Sequence, residues 1–168
     1  MRILIVSDNH QDDTSLHDLL NIYDDIDLWL HCGDSEFYSE NELWETYRTV
    51  RGNMDWETNF PVVRTIETTD FNLVVLHGHQ HQVKRSNAKM LDEARKSDAK
   101  IVFYGHTHIA KVDKEDDVYF INPGSIRHPR GNIDVGSYAI YEKIDNDEYI
   151  TFYDWNHNEL KDLSQKLS

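Results

Sequence analysis

Apolar residues fall along this chain in short runs, each closed by a polar loop, and amphipathic stretches separate the runs in the first half. Ile3 to Val6 is wholly apolar and rich in β-branched residues, as expected of a strand covered on both faces. Asp12 to Tyr23 places Leu16, Leu19, Leu20 and Tyr23 on one helical stripe, with Asp12, Asp13 and Thr14 as start signals, and predicts a helix. Leu28 to Leu30 reads as a second strand, Glu40 to Tyr47 as a short helix, and Thr49-Val50 as a short third strand. Leu73 to Leu76 and Ile101 to Tyr104 are further buried strands, with a helix expected between them over Ser86 to Lys96. After Gly105 the helical period stops, and Val118 to Ile121, Ser137 to Tyr141 and Tyr149 to Tyr153 read as strands. Asp145-Asn146-Asp147-Glu148 lacks the ligand pattern of a calcium loop and reads as a hairpin turn. The polar tail from Asn156 is expected to form a last helical turn or to fray. The pattern is that of an α/β protein whose second half is mostly β.

Length and composition narrow the picture. The chain has 168 residues without repeat, low-complexity segment or linker, so a single domain over 1–168 is expected at about 100–200 residues per domain. Acids outnumber bases, 31 Asp+Glu against 17 Lys+Arg, for a formal net charge of −14. Such a surface repels phosphate backbones and argues against a nucleic-acid binder that relies on Lys and Arg. No apolar run approaches a membrane span, and the start at Met1 meets Asp8 too early for a secretory leader. A cytoplasmic protein without membrane partners is expected, and the lone Cys32 forms no internal disulfide.

The chemistry sits at the ends of the apolar runs. Five of them close with Asp, Asn or His: Ser7-Asp8-Asn9-His10, His31-Cys32-Gly33-Asp34, Arg51-Gly52-Asn53, His77-Gly78-His79 and Gly105-His106-Thr107-His108. Four of the seven glycines lie in these loops, where glycine permits positive φ or close approach. Ligands of open α/β sheets bind beyond the carboxyl ends of the strands, so the five loops are expected on one rim. Taken singly, Asp-x-His or Gly-Asp is an ordinary cap or turn. Five such pieces at equivalent positions are not explained as independent turns.

Together they offer Asp8, His10, Asp34, Asn53, His77, His106 and His108, oxygen and imidazole donors with no thiolate pair. Seven donors exceed one tetrahedral zinc and suit two divalent ions sharing a carboxylate, with Mn²⁺ first and Fe²⁺, Ni²⁺ or Zn²⁺ as alternatives.

These motifs, with Asn122-Pro123-Gly124-Ser125, resemble the calcineurin-like metallophosphoesterase superfamily, and most closely its small bacterial and archaeal phosphodiesterase branch (YfcE/YsnB-like). The resemblance implies a four-layer α/β/β/α sandwich of two mixed sheets. It implies that Asp8, His10 and His108 hold one ion, that Asn53, His77 and His106 hold a second, and that Asp34 bridges them. It further implies hydrolysis of a small phosphodiester by in-line attack of a metal-bridging hydroxide, with Asn53 also contacting phosphate.

One position departs from the family pattern. Where many members carry His after Gly-Asn, this chain has Gly52-Asn53-Met54-Asp55, and methionine cannot protonate a leaving oxygen. General acid catalysis is worth about 10²–10⁴-fold, so either good leaving groups or a substitute acid is expected, with His79 the candidate.

The competing readings are a protein-interaction scaffold on the same fold, resembling the retromer subunit, and a phosphomonoesterase or nuclease. His31 and Cys32 are expected to support the ligands. Arg127 and Arg130 are placed in surface ion pairs, with a substrate phosphate as the alternative partner. Trp44, Trp56 and Tyr38 are assigned to core packing, or else to a substrate wall or a homo-oligomer interface.

Overall fold

The computed structural model describes residues 1–168, and two mixed sheets account for most of them. The first sheet contains β1 (Arg2–Val6), β2 (Leu28–His31), β3 (Tyr47–Thr49), β9 (Ser137–Ile144), β10 (Asp147–Asp154) and β11 (Gln165–Lys166), in the order β11-β10-β9-β1-β2-β3. The second contains β4 (Val63–Glu67), β5 (Asn72–Leu76), β6 (Ala99–Tyr104), β7 (Lys111–Glu115) and β8 (Val118–Asn122), in the order β4-β5-β6-β8-β7. β1, β2 and β3 run parallel, as do β5, β6 and β8. One helix covers each outer face: α1 (Thr14–Ile22) the first sheet and α2 (Ala88–Lys96) the second.

The two-residue period of a strand explains why the early runs are apolar throughout. Ile3 and Ile5 point between the sheets, where they meet Leu73, Val75, Ile101 and Phe103. Leu4 and Val6 point outward to Leu16 and Leu19 of α1. Val74 and Leu76 likewise face Met90, Leu91 and Ala94 of α2. The result is the four-layer sandwich expected from the motifs.

Four local expectations are corrected. The helix expected over Glu40 to Tyr47 is only a 3₁₀ turn, Glu42–Glu45, whose start is capped by the Asn41 side chain accepting the Leu43 N–H at 3.0 Å. Tyr47 instead opens β3, because its ring is buried and its hydroxyl donates to the Leu16 carbonyl at 3.0 Å. β4 and β7 escaped the apolar pattern because both are edge strands of the second sheet in which only Ile66 is buried, with Val63 and Val112 partly covered at the margins of the cores. The tail is neither helical nor frayed: Leu160, Leu163 and Leu167 pack on the inter-sheet core, and β11 pairs with Tyr149 and Ile150 of β10. The hairpin is as expected, with Asp145-Asn146 joining β9 to β10 and Asp145 at φ 55°. No helix is long and apolar enough to cross a membrane.

Candidate metal centre

The carboxyl ends of β1, β2, β5 and β6, with the segment after β3, deliver the seven donor residues to one place. The backbone pays little heed to ordinary preferences there. Asp8, His10, Asp34, His106 and His108 all have left-handed φ, at 55°, 43°, 58°, 67° and 61°. Each such non-glycine residue costs on the order of 1–3 kcal/mol and persists only where its surroundings over-determine it. Five among seven donors mark a site built for geometry at the expense of backbone comfort.

Two loop glycines are required by close approach and not by φ. A Cβ at Gly52 would lie 2.0 Å from Asp34 Oδ1, and one at Gly105 would lie 2.1 Å from Ser7 Oγ and 2.7 Å from Asp8 Oδ2. Both glycines let a neighbouring loop lie directly against a carboxylate.

The donor atoms converge. His108 Nε2 lies 3.1 Å from Asp8 Oδ1 and 3.4 Å from His10 Nε2. His77 Nε2 lies 3.3 Å from Asp34 Oδ2, 3.9 Å from Asp8 Oδ1 and 3.1 Å from Asn53 Oδ1. Two sets have donors within 4.8 Å of one another, Asp8 with His10 and His108, and Asp8 with Asp34 and His77. Asp8 is common to both, whereas the family resemblance implies Asp34 as the shared carboxylate. The His106 ring stands 5.1 Å from that of His77, outside either compact set.

The protons are already committed elsewhere. His77 Nδ1 donates to the Cys32 carbonyl at 2.7 Å, His108 Nδ1 to the His128 carbonyl at 2.7 Å, and His10 Nδ1 to Glu36 Oε1 at 2.8 Å. In the neutral rings this leaves every Nε2 a bare lone pair facing other lone pairs and carboxylate oxygens. Asp8 Oδ1 is buried among them and accepts no hydrogen bond. Such a donor set fits divalent cations, which satisfy the converging lone pairs and the orphaned oxygen together.

The electrostatics agree. Burial opposes charge on His77, yet Asp34 and Asp8 outweigh it and lift its pKa to about 9. Burial also works against an ionised Asp8 and an ionised Asp34, but the neighbouring imidazoles keep both carboxyls below the usual range. The cluster therefore draws positive charge. His106 goes the other way: burial, then His77 and Lys84, lower it to about 4 and leave it neutral.

The supports of the site were only partly visible in sequence. His31 does hold the loops, donating from Nε2 to Asn9 Oδ1 at 2.8 Å and accepting the Gly33 N–H at Nδ1 at 3.1 Å. Asp55, which follows Gly52-Asn53-Met54, shows no role in sequence, yet its buried carboxylate accepts the N–H groups of Asp34, Glu36 and Gly52 at 2.7–2.9 Å. Glu36 and His128 were missed. Neither belongs to a motif, and only the folded loops bring them to His10 and His108.

Other candidates are placed differently. His79 stands half-buried beside His77 and His106, its Nδ1 buried without a partner. It does not line the cleft of about 340 Å³ at the cluster, whose walls are His10, Asp34, Asn53, His106 and His108 with Met54, Lys84, His128 and Arg130. Arg130 is thus not in a surface ion pair, and Arg127 lines a separate hollow with Asp12 and Asp18. Trp44 packs inward against His31, Phe37 and Phe60, while Tyr38 and Trp56 are 74% and 84% exposed.

Fold and site together define a metallophosphoesterase-type sandwich, with parallel strand ends presenting paired Asp/His clusters. Residues 1–146 match the profile of the Calcineurin-like phosphoesterase superfamily domain. The chain is 32% identical to "Probable metallophosphoesterase YsnB" of Bacillus subtilis over 169 residues, covering 100% of this chain and 99% of that protein. It is 30% identical over 145 residues to "Phosphodiesterase MJ0936" of Methanocaldococcus jannaschii, covering 74% and 83% of the two chains. A predicted phosphoesterase of Streptococcus pneumoniae superposes with a TM-score of 0.94 at 32% identity, covering 99% and 97%. Vacuolar Protein Sorting 29 of Cryptosporidium parvum shares the fold alone, with a TM-score of 0.78 at 19% identity over 99% and 97% of the chains. This chain belongs to the calcineurin-like phosphoesterase superfamily, in its small bacterial and archaeal branch.

Proposed function

We propose that this protein hydrolyses small phosphodiesters with two divalent ions, Mn²⁺ before Fe²⁺, Ni²⁺ or Zn²⁺. Asp8, His10 and His108 would hold one ion and Asn53, His77 and His106 the other, with Asp34 reaching both as the resemblance implies and Asp8, common to both compact donor sets, lying between them. The observation that carries the reading is the convergence of three imidazole Nε2 atoms on two carboxylates, each ring's Nδ1 being already bonded elsewhere. Divalent ions in such a set supply positive charge to phosphoryl oxygens and acidify a water nucleophile.

The chain's own residues do the rest. The Cys32 and His128 carbonyls and Glu36 hold His77, His108 and His10 in the one tautomer that can ligate. The Met54 N–H, 2.8 Å from Asp34 Oδ1, leaves Oδ2 directed into the cluster. Exposed Asn53 turns Oδ1 to His77 and keeps its amide N–H groups for a phosphoryl oxygen. The leaving oxygen needs a proton that Met54 cannot give. His79 is the donor inferred from sequence, and His128, which lines the cleft with its ring centroid 5.4 Å from that of His10, is its rival. A cleft of about 340 Å³ on a chain of net charge −14 favours a small diester over nucleic acid.

The deciding experiment loads the purified protein with each of the four ions. Turnover of bis(p-nitrophenyl) phosphate above that of p-nitrophenyl phosphate is expected, with loss in Asp34→Ala. Protein that binds metal yet turns over neither ester would instead support the interaction scaffold. Competent donors at all seven positions already speak against that alternative.

A further inference from the structure

We propose that the open wall of the cleft is a second anion site, and that the substrate is a phosphodiester carrying an additional phosphate group beside the scissile one. The inference rests on the phosphoesterase reading above and names its substrate class. Two cationic side chains from separate segments line this cleft: Lys84 from the turns between β5 and α2, and Arg130 from the loop between β8 and β9.

Both are anchored to the site at their roots. The Arg130 N–H donates to the His108 carbonyl at 2.9 Å, and two residues earlier the His128 carbonyl accepts His108 Nδ1–H. On the other side, Val83 packs so tightly on Gly78 that a Cβ there would lie 2.9 Å from Val83 Cγ2, which holds Lys84 beside the His77 loop.

Neither cation has an anionic partner in the protein. Ten of the 17 Lys and Arg residues form no ion pair, Lys84 and Arg130 among them; what sets these two apart is that they alone of the 17 line the cleft at the metal cluster, although acids outnumber bases 31 to 17. The one carboxylate lining the cleft, Asp34, is directed at His77 and Met54. Two unpaired cations, one a guanidinium whose planar fork matches phosphate oxygens, therefore face the space beside the scissile group. A second phosphate supplies the missing partner, and the cleft volume suits a compact bis-phosphorylated ligand.

The test compares two probes that differ by one phosphate, thymidine 3′-(p-nitrophenyl phosphate) and its 5′-phosphorylated form. With metal-loaded protein, kcat/KM is expected to be about tenfold or more higher for the phosphorylated probe, in keeping with charge-assisted hydrogen bonds. The ratio should fall towards one in Lys84→Gln and Arg130→Gln, and recover in part in Lys84→Arg and Arg130→Lys. Calorimetry provides a readout without turnover: thymidine 3′,5′-bisphosphate should bind more tightly than thymidine 3′-phosphate, by a margin that shrinks with salt and in the glutamine variants. A wild-type ratio of one in either measurement overturns the proposal, as does a ratio that survives both glutamine substitutions. If neither probe is hydrolysed with any ion, the phosphoesterase reading fails, while the calorimetric ratio still decides whether the wall binds a second anion.

Discussion

Asp55 Oδ2 accepts the backbone N–H of Asp34 at 2.9 Å and that of Gly52 at 2.7 Å, so one buried carboxylate ties together two loops that carry residues of the proposed metal site. Its other oxygen accepts the Glu36 N–H at 2.7 Å, and Glu36 in turn orients His10. Removing it leaves three buried or half-buried N–H groups without a partner and frees both loops. Asp55→Ala is expected to lower metal affinity and activity by about 10–100-fold, the usual cost of losing an outer partner of a metal ligand. Metal titration alongside kcat/KM checks it, and unchanged affinity would refute the role.

Gly52→Ala should be as damaging although it removes nothing. The added methyl would lie 2.0 Å from Asp34 Oδ1, so the carboxylate or the loop must move. A displacement near 1 Å costs about 10²-fold in rate. Activity should fall by that order while the far-ultraviolet dichroism of the two sheets is retained. A fully active Gly52→Ala would show that Asp34 is not needed where it stands.

Metal should stabilise the fold. Ions bound by loops of both sheets bind the native state and not the unfolded chain, which at about 100 times Kd adds about 2.7 kcal/mol. A chelator is therefore expected to lower the midpoint of thermal unfolding, and Asp8→Ala should shrink the difference between chelated and Mn²⁺-loaded protein. Equal midpoints in wild type would argue against a resident ion.

His31 makes metal-free stability depend on pH. Burial lowers its pKa to about 4, against an ordinary 6.5, despite the opposing pull of Asp55 and Asp8. Its bonds agree, since Nδ1 accepts the Gly33 N–H and a second ring proton would abolish that bond. Because the unfolded chain binds the proton more readily, the contribution is intact above about pH 6.5 and is lost as pH falls towards 4, up to about 3 kcal/mol. Denaturant unfolding of wild type and His31→Gln across that interval should show the steeper loss in wild type. Parallel curves would assign the dependence to other groups.

The proton donor is separable by leaving group. Replacing the true donor should slow p-nitrophenyl esters little and alkyl esters by about 10²–10⁴-fold. His79→Gln and His128→Gln, each measured on a series of diesters of rising leaving-group pKa, distinguish the two. If neither steepens the dependence, the leaving oxygen takes its proton from elsewhere.

Much of this molecule was written locally. The alternation of side chains across a strand makes a run such as Ile3 to Val6 announce a doubly covered strand, and the loop after each run announced the seven donors. What local patterning missed has one cause: it depends on neighbours distant in sequence. The edge strands β4 and β7 bury a single side chain between them, Ile66, β3 begins where Tyr47 finds Leu16, and the tail is ordered by leucines that close over a core made elsewhere. Within the site, residue types could be read before folding, but the assignment of protons could not. Which nitrogen of His10, His77 and His108 is left bare is decided by Glu36, the Cys32 carbonyl and the His128 carbonyl, and only the closed sandwich brings those acceptors within 2.8 Å.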